Sequence, residues 1–290
     1  MSNSWLENSS LISKIEWLCI KIPFIILVYF NLKSTVLSII EITGEKGICH
    51  LINCNLFLFD ITKYIIVIWL TLSSILFLFG KFKLFAISSL FLVSLIIFSL
   101  EESLGILSRS GIISLIFLSL VIAHYLHADS PEKLTIARIQ YPIQVIVACY
   151  TLAALSKITV SGISWVTDAE MMIVQMAKIN QTRILDGIYH GEVLSPKALF
   201  VLEHKVIISL LLFGALCIEL FSGLAMINKK TRIVYGFLLV SLHIGIYYFF
   251  QILIMSFIIP MVLFLINPFF LIFESFRVIA LRLKKYKFNL

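Results

Sequence analysis

Charged residues are scarce in this sequence: Asp, Glu, Lys and Arg together make up 13% of its 290 residues. About a quarter is ordinary for a soluble domain, whose surface must face water. Apolar residues reach 60%, with a mean hydropathy of +1.05. They run in long blocks without strand alternation or a heptad seam, so the pattern calls for lipid as solvent. A Gly-rich phosphate loop, a Ser nucleophile elbow and an HExxH zinc motif are all missing, which removes the common soluble-enzyme chemistries. The net charge of +7 comes from Lys and Arg at the ends of apolar runs. That is topology signalling and headgroup contact rather than a nucleic-acid groove.

The first residues also lack a short basic region followed by a cleavable apolar core; Trp5, Glu7 and Glu16 come first. No cleaved signal peptide is expected. Of the five cysteines, Cys19, Cys149 and Cys217 lie in apolar runs, where packing is their expected role. Cys49 and Cys54 share a polar loop and could close a disulfide in an oxidising compartment, although spacing alone does not pair them. His124 and His127 share one helix face, but no third ligand accompanies them, and no metal is expected.

The predicted fold is an all-α integral membrane bundle, residues 1–290 as one polytopic domain. Six spans read as Trp17–Ile40, Ile61–Phe79, Leu84–Leu100, Gly111–Leu126, Ile139–Ser156 and Val206–Ile227. Ile233–Phe273 is too long for one crossing of a ~30 Å core at ~1.5 Å per residue, and splits near Gln251. That makes about eight spans. Most of the 23 Lys and Arg residues then fall on one side, so both termini are expected in the cytoplasm of a cell-membrane protein.

The long connection, 157–205, falls on the opposite, extracytoplasmic side. It includes an amphipathic stretch with Trp165, Ala169, Met172, Ile173 and Met176 at helical spacing, read as one interfacial helix. Its methionines make a soft face, which either packs on the bundle or gates a lipid-soluble substrate.

Ionisable residues within spans are costly and therefore carry functional hypotheses. By rise per residue, Glu219 lies ~12 Å and His243 ~15 Å from the cytoplasmic side, so the two could meet near mid-bilayer. Gln140 and Gln144 could join them. Such a group could relay a proton or only fix packing. Lys157 falls at the outer end of span five, where it could snorkel or, desolvated under the Met-rich helix, serve as a base. Glu101 or Glu102 could pair with Lys157 or Arg109.

The run from Ile139 through Tyr150, Lys157 and Trp165, followed by Glu219-Leu220, His243, Gln251, Phe257 and Pro260, resembles the HTTM family. These are membrane domains similar to vitamin K-dependent gamma-carboxylase. The resemblance covers about residues 139–268 and is faint before them. Bacterial relatives include sporulation-delaying-protein-B-like factors, which mature secreted toxic peptides. In the carboxylases the lysine matching Lys157 deprotonates a reduced quinone at the extracytoplasmic face. The resemblance therefore implies a menaquinone-like cofactor and Lys157 as base. It also implies a lipid pocket including Tyr150, Trp165, Glu219, His243, Gln144, Met172 and Met176. Membrane lipids, a secreted peptide and a maturation protein are the implied partners, and nucleic acid is not one. The carboxylases carry a large soluble domain after the bundle, for which the residues after Phe273 are not a counterpart, so glutamate carboxylation is not implied. Whether the chain is an enzyme stays open. The alternatives are a non-catalytic scaffold, an immunity factor or a peptide exporter, and, less compatible with eight spans, a DoxX-like quinone oxidoreductase subunit.

Overall fold

A computed structural model describes residues 3–38, 53–103, 110–185, 187, 190–250, 254–273 and 275. Most of these residues are helical, with no strand among them. The helices are α1 (Asn3–Ser38), α2 (Asp60–Phe79), α3 (Lys83–Ser103), α4 (Gly111–Leu126), α5 (Pro131–Ser161), α6 (Ser164–Thr167), α7 (Ala169–Leu185), α8 (Pro196–Glu203), α9 (Lys205–Leu220), α10 (Lys229–Phe250) and α11 (Met255–Pro260). A 3-10 turn, Phe221–Met226, prolongs α9, and a π turn, Met261–Ile266, prolongs α11.

Among the described residues, seven helical segments are long and apolar enough to cross a membrane. Gly111–Leu126 is apolar but shorter, with 16 residues. At ~1.5 Å per residue it spans ~24 Å of a ~30 Å hydrocarbon core. The last apolar stretch is two helices, α10 ending at Phe250 and α11 beginning at Met255; Gln251, where the split was expected, lies outside the described residues. So do Cys49, and with it the Cys49–Cys54 pairing, and Arg109.

The chain divides into two compact units: residues 1–146 with 255–290, and residues 147–254. In the first, α2 shows why lipid is the right solvent. Ile61, Ile65, Ile68, Leu72, Ile75 and Phe79 repeat every three or four residues and are all exposed. The opposite face buries Ile66, Leu70, Ser73, Ser74 and Phe77. The outer stripe is entirely apolar, while the inner one carries the serines. A water-soluble helix is arranged the other way round. Small and hydroxylated residues between helices permit close backbone approach where lipid removes most of the hydrophobic drive. Trp69 Nε1 donates to Ser89 Oγ of α3 at 2.5 Å in that setting.

The core of this unit is the ring contact of Phe24, Phe117 and Phe264, whose centroids lie 5.6 Å (24–117) and 5.4 Å (24–264) apart. All three are fully buried. Pro131 starts α5 at a position whose amide would have no helical partner, and Pro23 and Pro142 lie inside α1 and α5. The turn after α11 rests on Asn267, which is left-handed (φ 51) and fully buried. Its side-chain Nδ2 donates to Glu16 Oε1 at 2.5 Å, and its side-chain Oδ1 accepts from the Phe270 backbone amide at 3.2 Å.

The second unit contains the C-terminal part of α5 and α6–α10. Ala169, Met176, Ala198, Val201 and Ile208 form its buried apolar cluster, with Met172, Ile173, Leu212, Phe249 and Phe250 packed against it. The amphipathic stretch read as one helix from Trp165 to Met176 is therefore corrected. The chain leaves helical geometry at Asp168 (φ −94, ψ 68), which separates α6, carrying Trp165, from α7. The methionine face of α7 packs on α8 and α9.

Asn267→Ala is expected to lower stability by about 2–4 kcal/mol, from two lost hydrogen bonds and a left-handed Ala. Asn267→Gly should cost less, because only the hydrogen bonds are lost. Thermal midpoints in detergent check this; equal losses for the two variants would contradict it.

Candidate functional site

The 147–161 part of α5 carries a stripe at helical spacing: Val147, Tyr150, Thr151, Ala154 and Lys157. Val147, Tyr150 and Ala154 are buried. α9 and its 3-10 extension answer with Glu219, Ser222 and Ala225, all buried. Three-residue spacing aligns Ser222 and Ala225 on one edge of a 3-10 turn. Ser222 Oγ donates to the Val147 carbonyl at 3.1 Å and lies 3.0 Å from Thr151 Oγ1, so one serine joins the two helices. α10 presents Arg232, Gly236, Leu239 and His243 as its buried seam. Asn228 starts that helix: its side-chain oxygen accepts from the Lys230 and Thr231 amides, both at 2.9 Å.

Two polar pairs result. Lys157 Nζ lies 2.5 Å from Glu219 Oε2, with side chains 28% and 6% exposed. Tyr150 Oη lies 2.5 Å from His243 Nε2, and the two rings meet nearly edge to face. The pairs are coupled: Tyr150 lies within electrostatic reach of Glu219, and His243 within reach of Lys157. Trp165 completes the group, its ring centroid 4.5 Å from the Lys157 amine. That placement depends on the end of α5, where Gly162 takes a left-handed conformation (φ 60) and its amide bonds the Ile158 carbonyl. A residue with Cβ resists that turn. The turn leads into α6 and lays the indole over the amine.

The expected site residues are thus redistributed. Lys157, Tyr150, Trp165, Glu219 and His243 come together. The expected Glu219–His243 meeting takes the form of two neighbouring pairs, Lys157–Glu219 and Tyr150–His243. Lys157 was placed at the rim of span five because the apolar run stops at Ser156. In the structure the helix continues to Ser161, and helical side chains lean toward the N-terminus, which brings the amine to Glu219. Glu101 is buried and accepts from the Ser110 amide at 2.9 Å and from its hydroxyl. Gln144 is exposed and belongs to the first unit. Met172 and Met176 belong to the α7–α9 cluster. Thr151 and Ser222 were not anticipated; their residue types are ordinary in apolar helices, and only the 3-10 turn brings Ser222 to α5. Among the described residues no group of three or more His, Cys, Asp or Glu could hold a metal ion.

A second ion pair behaves differently. Glu170 bonds Lys205, and both are exposed. That hydrogen bond, then the ammonium charge, holds the Glu170 carboxyl below its ordinary range. The sign follows: any stabilisation is present above the ordinary carboxylate range and disappears as pH falls through the lowered value. Solvent and salt screen it. Glu170→Gln should therefore barely move the thermal midpoint at neutral pH in high salt. Glu219→Ala should cost about 3–5 kcal/mol by stranding a charge, and the double substitution Lys157→Met with Glu219→Leu should recover most of that loss. Similar losses for Glu170→Gln and Glu219→Ala would refute the distinction. No family model, curated protein or solved structure matches this chain.

Proposed function

We propose that the chain is a multi-pass cell-membrane protein whose Lys157–Glu219 pair handles a proton for a quinone-like lipid. In this reading it assists the modification or maturation of an exported peptide at the extracytoplasmic face. Counting Gly111–Leu126 as a crossing makes eight spans, with both termini in the cytoplasm. The HTTM resemblance over residues 139–268 supplies the chemical class. The observation that carries the reading is the amine of Lys157 held between a buried carboxylate and an indole face.

The donor set suits a reduced quinone. Lys157 and Tyr150 supply hydrogen-bonding groups for its oxygens, and Trp165 supplies a flat face for its ring. Bound there, such a lipid would supply a hydroxyl proton whose removal leaves a delocalised anion. For Lys157 to act as a base it must first lose its own proton. Glu219 Oε2, 2.5 Å away, accepts from the Lys157 amine. Transfer of that proton converts an ion pair into two neutral groups, which an apolar surrounding tolerates better. Tyr150 and His243 form the adjoining hydrogen-bonded pair through which protonation can be balanced.

A non-catalytic scaffold, immunity factor or exporter is the second reading. The packing of Met172 and Met176 into the apolar cluster favours it, because those side chains then have a structural role. Lys157→Arg separates the two. Arginine keeps the ion pair but does not deprotonate. The catalytic reading expects Lys157→Arg and Lys157→Ala to abolish maturation of the exported peptide, read by mass spectrometry of secreted peptides at equal membrane level. Normal peptides from Lys157→Arg would remove the base. In nanodiscs, a short-chain menaquinol analogue should quench Trp165, and Lys157→Ala should weaken that binding about tenfold.

A further inference from the structure

A separate concentration of positive charge lies in the first unit, outside the group just described. It gathers where α2 ends, α3 begins, α4 ends and α5 begins. Lys21 of α1 is buried, yet its amine donates to the carbonyls of Phe77 (3.4 Å) and Leu78 (2.8 Å), the last turn of α2. Arg138 of α5 stacks over the Trp17 ring at 5.8 Å, and its Nε donates to His124 Nε2 at 3.1 Å. An imidazole nitrogen that accepts from a guanidinium carries no proton, so His124 stays neutral and orients the arginine. Lys83, at the first position of α3, lies within electrostatic reach of both Lys21 and His124, as Arg138 does.

Among the described residues no carboxylate forms an ion pair with Lys21, Lys83 or Arg138. Three cations at one end of an apolar helix bundle repel one another, and with no carboxylate in ion-pair contact with them among the described residues the arrangement suits an anion from outside. The arrangement is also directional. Trp17 and His124 hold the guanidinium through its face and its Nε, which leaves the two terminal nitrogens for a bidentate acceptor, the geometry that phosphate oxygens match. Lys83 also opens α3, and the first turn of a helix is favourable ground for an anion.

We propose that Arg138, Lys83 and Lys21 form a phosphate-binding site at this end of the bundle, oriented by His124 and Trp17. Its ligand is a phosphate-bearing anion, supplied by an anionic phospholipid headgroup or as free phosphate. A headgroup would anchor α1, α3 and α5 to the leaflet at a fixed depth.

The full chain, delipidated in a non-ionic detergent, is titrated with phosphatidylglycerol, with phosphatidylcholine and with inorganic phosphate. Native mass spectrometry and the thermal midpoint are the readouts. Phosphatidylglycerol should stay bound and raise the midpoint more than phosphatidylcholine does. Lys83→Glu, at an exposed position, should weaken this about tenfold. Arg138→Lys, which keeps the charge and loses the fork, should weaken it less. Lys230→Glu, an exposed lysine of the other unit, should leave it unchanged. Equal binding of inorganic phosphate would assign the site to free phosphate rather than lipid. The site is refuted if neither anion exceeds phosphatidylcholine, or if Lys230→Glu weakens binding as much as Lys83→Glu.

Discussion

An ammonium and a carboxylate in contact within apolar helices is the constraint around which residues 147–254 are arranged. Either charge alone would be costly in that setting. Lys157 and Glu219 tolerate it because each neutralises the other at 2.5 Å, and the surrounding backbone serves that contact. α5 runs on to Ser161 so that the lysine leans inward. α9 tightens into a 3-10 turn so that Ser222 bonds back to Val147 and Thr151. Gly162 reverses the chain so that Trp165 covers the amine. A pair that only stabilised the bundle could be replaced by packed apolar residues. Here it lies beside a tyrosine, a histidine and an indole, the neighbourhood on which the proposed proton chemistry is built.

The two units treat charge in different ways. Residues 147–254 hold a neutralised pair, its carboxylate buried, among hydrogen-bonding side chains. The first unit collects Lys21, Lys83 and Arg138 at one end, with no ion-pair partner for them among the described residues. Both follow from the same solvent. Where lipid surrounds a bundle, a charge must find a partner inside or lie near a headgroup. The exposed apolar stripe of α2 expresses that rule from the outside.

Much of the fold was legible in the residues. Long apolar runs located the helices, and the break between α10 and α11 falls where one crossing became too long. The ends were less legible. Hydropathy stops at Ser156, whereas backbone hydrogen bonding continues through Lys157 to Ser161. That extra turn holds the lysine in helical geometry, where its side chain leans back to Glu219. The site was half legible for the same reason. Rise per residue brought Glu219 and His243 to similar depths, but depth alone does not assign partners. Facing does, and the facing of Glu219 depends on how α9 ends. Met172 and Met176 had the right periodicity for an exposed flap and equally for a core; the non-helical Asp168 decided for the core by detaching Trp165 from α7. Charge clustering across α1, α3 and α5 could not be seen at all, because Lys21, Lys83 and Arg138 are far apart in sequence and meet only through the up-and-down packing of the helices.

The claim on which this account rests is that the Lys157 amine is paired and sheltered. Solid-state nitrogen NMR of lysine-labelled protein in lipid bilayers tests it most directly, with Lys157→Arg identifying the resonance. The account predicts a Lys157 Nζ signal displaced from those of the water-exposed lysines, slow to exchange its protons, and shifted by Glu219→Gln. A Lys157 signal indistinguishable from the exposed lysines and indifferent to Glu219→Gln would contradict it.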